Sequence, residues 1–345
     1  MATCRKVIQL CSNFNQLHRF QNSYCTKHSI RKLLRHPEDW NQLQRQQRGF
    51  RTKKSEIVEK DVVDERSFGS LIKPLGFTVM VCGCSFTGAV IWQYEVMRNR
   101  AVQIRKMFEN SGTEFKSEQK LGDFRQHISS FWNNLSSGEK LVWTVIGLNV
   151  GVFALWRIPQ LQRFMIRYFS CSPFAGHSVL SMFLSAFSHQ HIFHLVCNMY
   201  VFWSFSTVSL HLLNREQMVA VFCSGAVISS FASYVLKTIR LSKVPSVGSS
   251  GALFVLLGIV CTELPNQRLT IAFIGDIIPF SFSADSGLKA LILFDVLGVV
   301  LKWQIFDHAC HLGGALFGIW YAKYGKDLIW NRREKLMKAW HSIRG

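Results

Sequence analysis

The chain has 345 residues, a net charge of +19 and 48% hydrophobic residues. Its length leaves room for two or three water-soluble domains, but its apolar residues gather in membrane-length runs, which argues for one multi-span domain with polar ends. The excess of 40 Lys and Arg over 21 Asp and Glu raises nucleic acid as a partner. That class is set aside, because the charge sits at the two ends and in short loops, with no zinc-finger spacing or RNA-binding signature.

Residues 1–54 hold twelve Lys or Arg and only two acids, Glu38 and Asp39. They lack the apolar core of a secretory signal and have the acid-poor, Arg-rich composition of a mitochondrial presequence. Gln47-Arg48-Gly49-Phe50-Arg51 resembles a processing site. Residues 55–73 follow as a segment on the matrix side. The first predicted span covers 74–94, free of charge, and a charged, helix-favouring linker covers 95–140.

Six further spans are predicted between 141 and 324: Leu141–Trp156, His191–Leu213, Gln217–Leu236, Ser249–Leu264, Leu288–Trp303 and His308–Tyr324. Arg163 and Arg167 among Phe164, Ile166 and Tyr168 read as a segment lying in the membrane interface. The apolar patch Leu269–Phe282 is interrupted by Asp276 and Pro279 and reads as loop. Residues 325–345 form a basic tail. The fold class expected is all-α: a polytopic membrane helical bundle of six core helices plus one extra N-terminal transmembrane helix.

Loops carrying Arg157, Arg163, Arg167, Lys237, Arg240, Lys243 and Lys302 fall on one side of this arrangement, and the positive-inside bias makes that side the matrix. The N-terminus is then in the matrix and the C-terminus in the intermembrane space. The basic tail disagrees with the same bias.

Four spans carry polar residues that hydrocarbon does not tolerate without a partner or a use. The run Val247-Gly248-Ser249-Ser250-Gly251 opens one span and Asp307-His308-Ala309-Cys310-His311 another, so Ser250 and His311 suggest a nucleophile and its base. His194 and Asn198, four apart on one helix face, and His189 at the mouth of that span suit the stabilisation of a developing oxyanion. Gly248 and Gly251 let the chain turn around the serine, and Gly314 with Gly318 forms the small-residue pattern that lets helices pack closely. Phe254, one turn below Ser250, is placed to stack on the imidazole. Asp307 reads either as a third member oriented on His311 or, preferably, as a carboxylate at a helix N-terminus. Asp295, in the sixth predicted span, is an intramembrane acid whose role the sequence leaves open.

No metal or cofactor is expected. His189, His191 and His194 lack the Glu of a His-Glu-x-x-His zinc site, and the ten cysteines include no CxxC pair.

Taken together, His194-x-x-x-Asn198, Gly248-Ser249-Ser250-Gly251 and His311-x-x-Gly314-x-x-x-Gly318 resemble the three motifs of the rhomboid family of intramembrane serine proteases, in order and on three spans. The glycine after Ser250 favours it over Ser249 as nucleophile in that pattern. The extra N-terminal span, the presequence-like arm and Phe306-Asp307-His308-Ala309-Cys310-His311 are similar to the mitochondrial, presenilin-associated rhomboid-like branch. The resemblance implies an inner-membrane protease with a Ser–His dyad, acting on single-span membrane proteins and serving mitochondrial dynamics and quality control. A catalytically silent scaffold that binds transmembrane helices is the alternative. Oligomeric state is not legible.

Overall fold

The computed structural model describes residues 68–109, 123–174, 178–270 and 281–344. The basic arm, most of the segment after it, and the middle of the charged linker lie outside these residues.

The described chain is helical almost throughout. A 3-10 turn (Phe68–Leu71) leads into α1 (Ile72–Glu109); α2 (Asp123–Asn134), α3 (Ser137–Leu155), α4 (Gln162–Phe169) and the one-turn α5 (Ser181–Leu184) follow. The remainder is α6 (Ile192–Leu212), α7 (Arg215–Arg240), α8 (Ser250–Glu263), β1 (Arg268–Thr270), β2 (Ser281–Ser283), α9 (Ala284–Val300), α10 (His308–Trp320) and α11 (Glu334–Arg344). α10 runs on through a π-helical stretch, Tyr321–Trp330. By length and composition α1, α3, α6 and α7 are each able to cross a membrane, and α8 is apolar but shorter. The chain is thus an all-α polytopic membrane bundle.

Local chemistry sets the boundaries. Ser136 and Glu139 close a reciprocal capping box at the start of α3. Asn214 caps α7 by accepting the Gln217 N–H, and Asp307 caps α10 by accepting the Cys310 N–H. Leu241 in the left-handed region ends α7.

Two elements differ from the sequence reading. α1 does not stop at Tyr94 but continues to Glu109 through the charged, helix-favouring stretch, and around Tyr94 it meets the C-terminal segment. Trp340 donates to Glu95 at 2.9 Å, Arg344 pairs with Glu95 at 3.2 Å, and Arg333 donates to Gln93 at 2.7 Å. Charge ended the apolar run without ending the helix. The patch read as loop has paired ends: β1 and β2 are antiparallel, Leu269 opposite Phe282.

α7 and α8 form the middle of the bundle, with Val221, Val227, Val255, Leu256 and Ile259 fully buried. α3, α6 and α9 instead expose Leu148, Val150, Phe193, Val196, Leu293 and Val300, as lipid-facing helices do. α8 and α10 approach to backbone contact. A Cβ at Gly314 would sit on the Gly251 carbonyl and one at Gly318 on the Val255 carbonyl, so only glycine permits this approach.

The loop from α7 to Ser250 is pinned on both sides. Cys171 and Ser246 exchange backbone hydrogen bonds at 2.9 and 2.7 Å, and the Gly248 N–H donates to the Ser185 carbonyl at 3.0 Å. Asp307, in the loop ahead of α10, accepts from Lys237 at 2.9 Å, from Ser233 at 2.6 Å, and from Ser246. Burial acts to raise the Asp307 pKa, but Lys237 and the two hydroxyls outweigh it and hold the carboxyl below the usual range. A depressed carboxyl stabilises the fold fully above its unfolded pKa of about 3.9 and loses that contribution as pH falls through the folded value. Asp307→Asn therefore lowers the thermal midpoint in detergent at pH 7, and the gap to wild type closes as pH drops below about 4. A gap independent of pH would show that the charge contributes nothing.

Candidate active site

Ser250 is the first residue of α8, and the turn before it is forced by its surroundings. Gly248 has φ +127°, outside the range L side chains adopt, and a Cβ there would meet the His194 ring at 2.7 Å. Removing that Cβ lets the serine turn lie directly against α6.

Ser250 Oγ lies 3.0 Å from His311 Nε2. The close α8–α10 packing through Gly251, Gly314 and Gly318 makes this contact between residues sixty-one positions apart. Phe254 stacks on the His311 ring with centroids 4.2 Å apart and planes within 8° of parallel, as its spacing from Ser250 suggested. The stack leaves the imidazole free to present its two nitrogens only at its edges.

Across the ring, His311 Nδ1 lies 3.2 Å from Asp295 Oδ1 on α9. The buried acid left open in the sequence thus stands behind the imidazole in the order hydroxyl, imidazole, carboxylate. Asp307 does not take that place: its oxygens face Lys237, Ser233, Ser246 and the Cys310 N–H. Of its two readings, the helix-terminus carboxylate is the one seen, with an ion pair added.

On the other side of Ser250, Asn198 Nδ2 donates to His189 Nε2 at 3.0 Å, and Ser249 Oγ lies 3.4 Å from the same nitrogen. His189 and Asn198 are buried, and the His194 ring stands edge-on to His189 with centroids 5.0 Å apart. The structure brings Ser250, His311, His194, Asn198, His189, Gly248 and Gly251 into one cluster with Asp295. Ser249 is directed at His189 rather than at His311, which separates the two adjacent hydroxyls. Asn198 holds one amide hydrogen on His189 and has a second to offer. Asn198→Ala is expected to lower turnover about 100- to 1,000-fold with little change in thermal midpoint. A collapse of folding with normal specific activity would rule out a role in the chemistry.

Several supports went unread in the sequence. Trp156 donates from Nε1 to Ser188 Oγ at 2.7 Å, and Arg157 donates to the Gln190 carbonyl at 2.7 Å, tying the end of α3 to the turn that carries His189. His308 donates no legible pattern signal, yet its Nδ1 lies 2.7 Å from Asp295 Oδ1. Among the described residues, no group of three or more His, Cys, Asp or Glu is arranged to hold a metal ion.

Comparison with known proteins identifies the family. The rhomboid domain family model matches residues 176–326, which contain every motif residue named above. The presenilin-associated rhomboid-like protein, mitochondrial, of Homo sapiens is 49% identical over 275 residues, covering 80% of this chain and 72% of that protein. Presenilin-associated rhomboid-like protein A, mitochondrial, of Danio rerio is 44% identical over 292 residues, covering 79% and 76%. Rhomboid protein 1, mitochondrial, of Saccharomyces cerevisiae is 32% identical over 216 residues, covering 62% and 61%. With a bundle of membrane-length helices, three motifs meeting at one point, and relatives at this level of identity, the chain belongs to the rhomboid family, in its mitochondrial presenilin-associated rhomboid-like branch.

Proposed function

We propose that the protein is an intramembrane serine endopeptidase of the mitochondrial inner membrane, cleaving single-span membrane proteins in or near the span. The observation that carries this reading is the Ser250 Oγ–His311 Nε2 contact of 3.0 Å, placed among buried polar groups. In the reaction, His311 Nε2 accepts the Ser250 proton as Oγ attacks the peptide carbonyl. Charge grows on the carbonyl oxygen, toward which the free Asn198 amide hydrogen, the His194 ring and the Ser250 N–H provide fixed donors. The imidazolium then returns its proton to the leaving amine, and water releases the acyl group by the same path. Asp295 accepts from Nδ1–H, keeps Nε2 as the acceptor and stabilises the imidazolium.

The length of α8 supports a site within the membrane. Fourteen residues rise about 21 Å, short of a hydrocarbon core of about 30 Å. With Glu263 near one interface, Ser250 lies roughly 10 Å below the other, where the polar groups of α6 and α10 line its surroundings. The proposal includes a domain plan: residues 1–54 as targeting arm, 74–94 as an extra span, 141–324 as the six-helix protease core, the N-terminus in the matrix and the C-terminus in the intermembrane space. α11 meets α1 at Glu95 through Trp340 and Arg344, which supports a C-terminus on the same side as the end of the first span, as seven spans require.

A fluorophosphonate probe tests the dyad directly. Purified protein in detergent is expected to be labelled at Ser250, and His311→Ala to lose labelling. Labelling at Ser249 would move the nucleophile to that residue, and no labelling at either serine would defeat the protease reading and favour a catalytically silent scaffold.

A further inference from the structure

The two loops that deliver the dyad meet at a second point. Ser246 stands four residues before Ser250 and Asp307 four before His311, so both pairs are sixty-one positions apart. The Ser246 hydroxyl donates to Asp307 Oδ2, which also accepts from Ser233 at 2.6 Å and from Lys237 at 2.9 Å, both on α7. Lys237 donates to Ser246 Oγ as well, and Ser233 Oγ lies 3.1 Å from it. The other carboxylate oxygen, Oδ1, accepts the Cys310 N–H at 3.2 Å and starts α10. One carboxylate thus opens the helix that carries His311 and holds the loop that leads to Ser250. That loop needs holding. Ser250 is the first residue of α8, and Ser249 at the N-cap makes no capping hydrogen bond from its side chain. The opening turn of a helix has N–H groups without partners in the helix, and it is weakened where no side chain caps it. The glycine contacts between α8 and α10 begin at Gly251, beyond the serine. The backbone bridge from Ser246 to Cys171 ties the loop to the segment after α4, not to α10. The side chain of Ser246 supplies the tie to the histidine's loop. Lys237 and Asp307 are largely shielded, with side chains 13% and 22% exposed. Apolar side chains of similar volume would stabilise such a corner as well, so stability alone does not account for the pair.

Resting on the serine-protease reading, we propose that Asp307 and Ser246 are positioning residues: their hydrogen bond, braced by Lys237 and Ser233, holds the loop ahead of Ser250 against the loop ahead of His311 and so sets the reach from hydroxyl to imidazole. Neither side chain touches the reacting atoms in this role. Proton transfer from Oγ to Nε2 needs a separation of about 2.6 to 3.2 Å, and the observed 3.0 Å lies toward the long end of that range. A shift of the serine by about 1 Å takes it outside the range and costs about 100-fold in rate. Three donors from α7 and the serine loop converge on Asp307 Oδ2, so the carboxylate does not swing without breaking several bonds at once. Losing the Ser246 hydroxyl leaves the helices packed and frees only the opening turn of α8. His194 and Asn198 belong to α6 and keep their places.

The test is the rate at which a fluorophosphonate labels Ser250 in the full chain in detergent, per folded molecule, read together with kcat and KM on a single-span substrate. Ser246→Ala removes the tie and leaves the Lys237–Asp307 pair, the α10 cap and the backbone bridge to Cys171 in place. It is expected to slow labelling and kcat about 10- to 100-fold, with KM and the thermal midpoint near wild type. Ser246→Thr keeps the hydroxyl and is expected to recover most of the rate. Asp307→Ala is expected to lose at least as much rate, with a lowered midpoint. Adding Ser246→Ala to it is expected to lose nothing further, since both act through one hydrogen bond. Wild-type labelling and kcat in Ser246→Ala overturn the proposal, as does a loss confined to KM or to the folded fraction. A threonine variant no faster than the alanine one, or a full further loss in the double variant, overturns it too. The wild type separates the two failures. If it is neither labelled nor cuts, the protease reading falls and this role with it; if it does both and Ser246→Ala matches it, only this role falls.

Discussion

Ser250→Ala is expected to reduce cleavage of a single-span substrate by about a million-fold, to the limit of detection, with His311→Ala falling equally far. The double variant should be no worse than either single one, because nucleophile and base act as a unit and the loss of one idles the other. The contact of 3.0 Å between Ser250 Oγ and His311 Nε2 is the reason: no other imidazole nitrogen is hydrogen-bonded to that hydroxyl among the described residues. Ser250→Ala removes only a hydroxyl, whereas His311→Ala also removes a buried ring stacked on Phe254. Among the described residues the Ser250 hydroxyl pairs with His311 alone, and Phe254 stacks on the His311 ring. Cleavage in purified detergent-solubilised protein is measured alongside the thermal midpoint, so that lost chemistry is separated from lost folding. Wild-type rates in both variants would leave the scaffold reading in place, with the dyad a packing contact.

How much of this was readable in the sequence differs by kind of residue. Ser250, His311, His194 and Asn198 were legible because each sits in a short pattern on its own helix, and the patterns are local in the chain. Phe254 was legible for the same reason: it is one turn from Ser250, so helical spacing alone puts it under the imidazole. Asp295 announced itself as an acid in an apolar helix, but its partners did not, since they lie beyond a tight turn in which Lys302 takes φ +59°. That turn folds α10 back over α9 and seats His308 on Gly298, a relation no periodicity encodes. Asp307 misled in the opposite sense. Four residues before His311 is the right spacing for one helix face, yet Asp307 is the cap rather than part of the helix, and Lys237, seventy residues earlier, claims it. Helix past Tyr94 was legible as a charged, helix-favouring stretch, but its contacts at Glu95 were hidden because those partners are at the far end of the chain. What depended on neighbours along the chain was visible, and what depended on partners across the bundle was not.

Asp295→Asn is expected to lower turnover by about 1,000-fold or more while leaving the fold intact. The substitution preserves shape but exchanges a charged acceptor for an amide with its own hydrogens. With a carboxylate, Nδ1 of His311 must carry the hydrogen, and Nε2 is left to accept from Ser250. An amide NH2 facing that ring selects the other tautomer, in which Nε2 is protonated and cannot take the serine proton. The imidazolium also loses the negative charge that would steady it inside a low-dielectric bundle. His308 meets the same change at the same oxygen, so the variant disturbs both rings together. A purely structural Asp295 makes a different forecast: its loss would reduce the amount of folded protein, and the molecules that remained would cut at the normal rate. Specific activity per probe-labelled or folded molecule, compared with the thermal midpoint, tells these apart. Full turnover in well-folded Asp295→Asn would reduce the site to Ser250 and His311 alone, with the buried carboxylate left as a tether between α9 and α10.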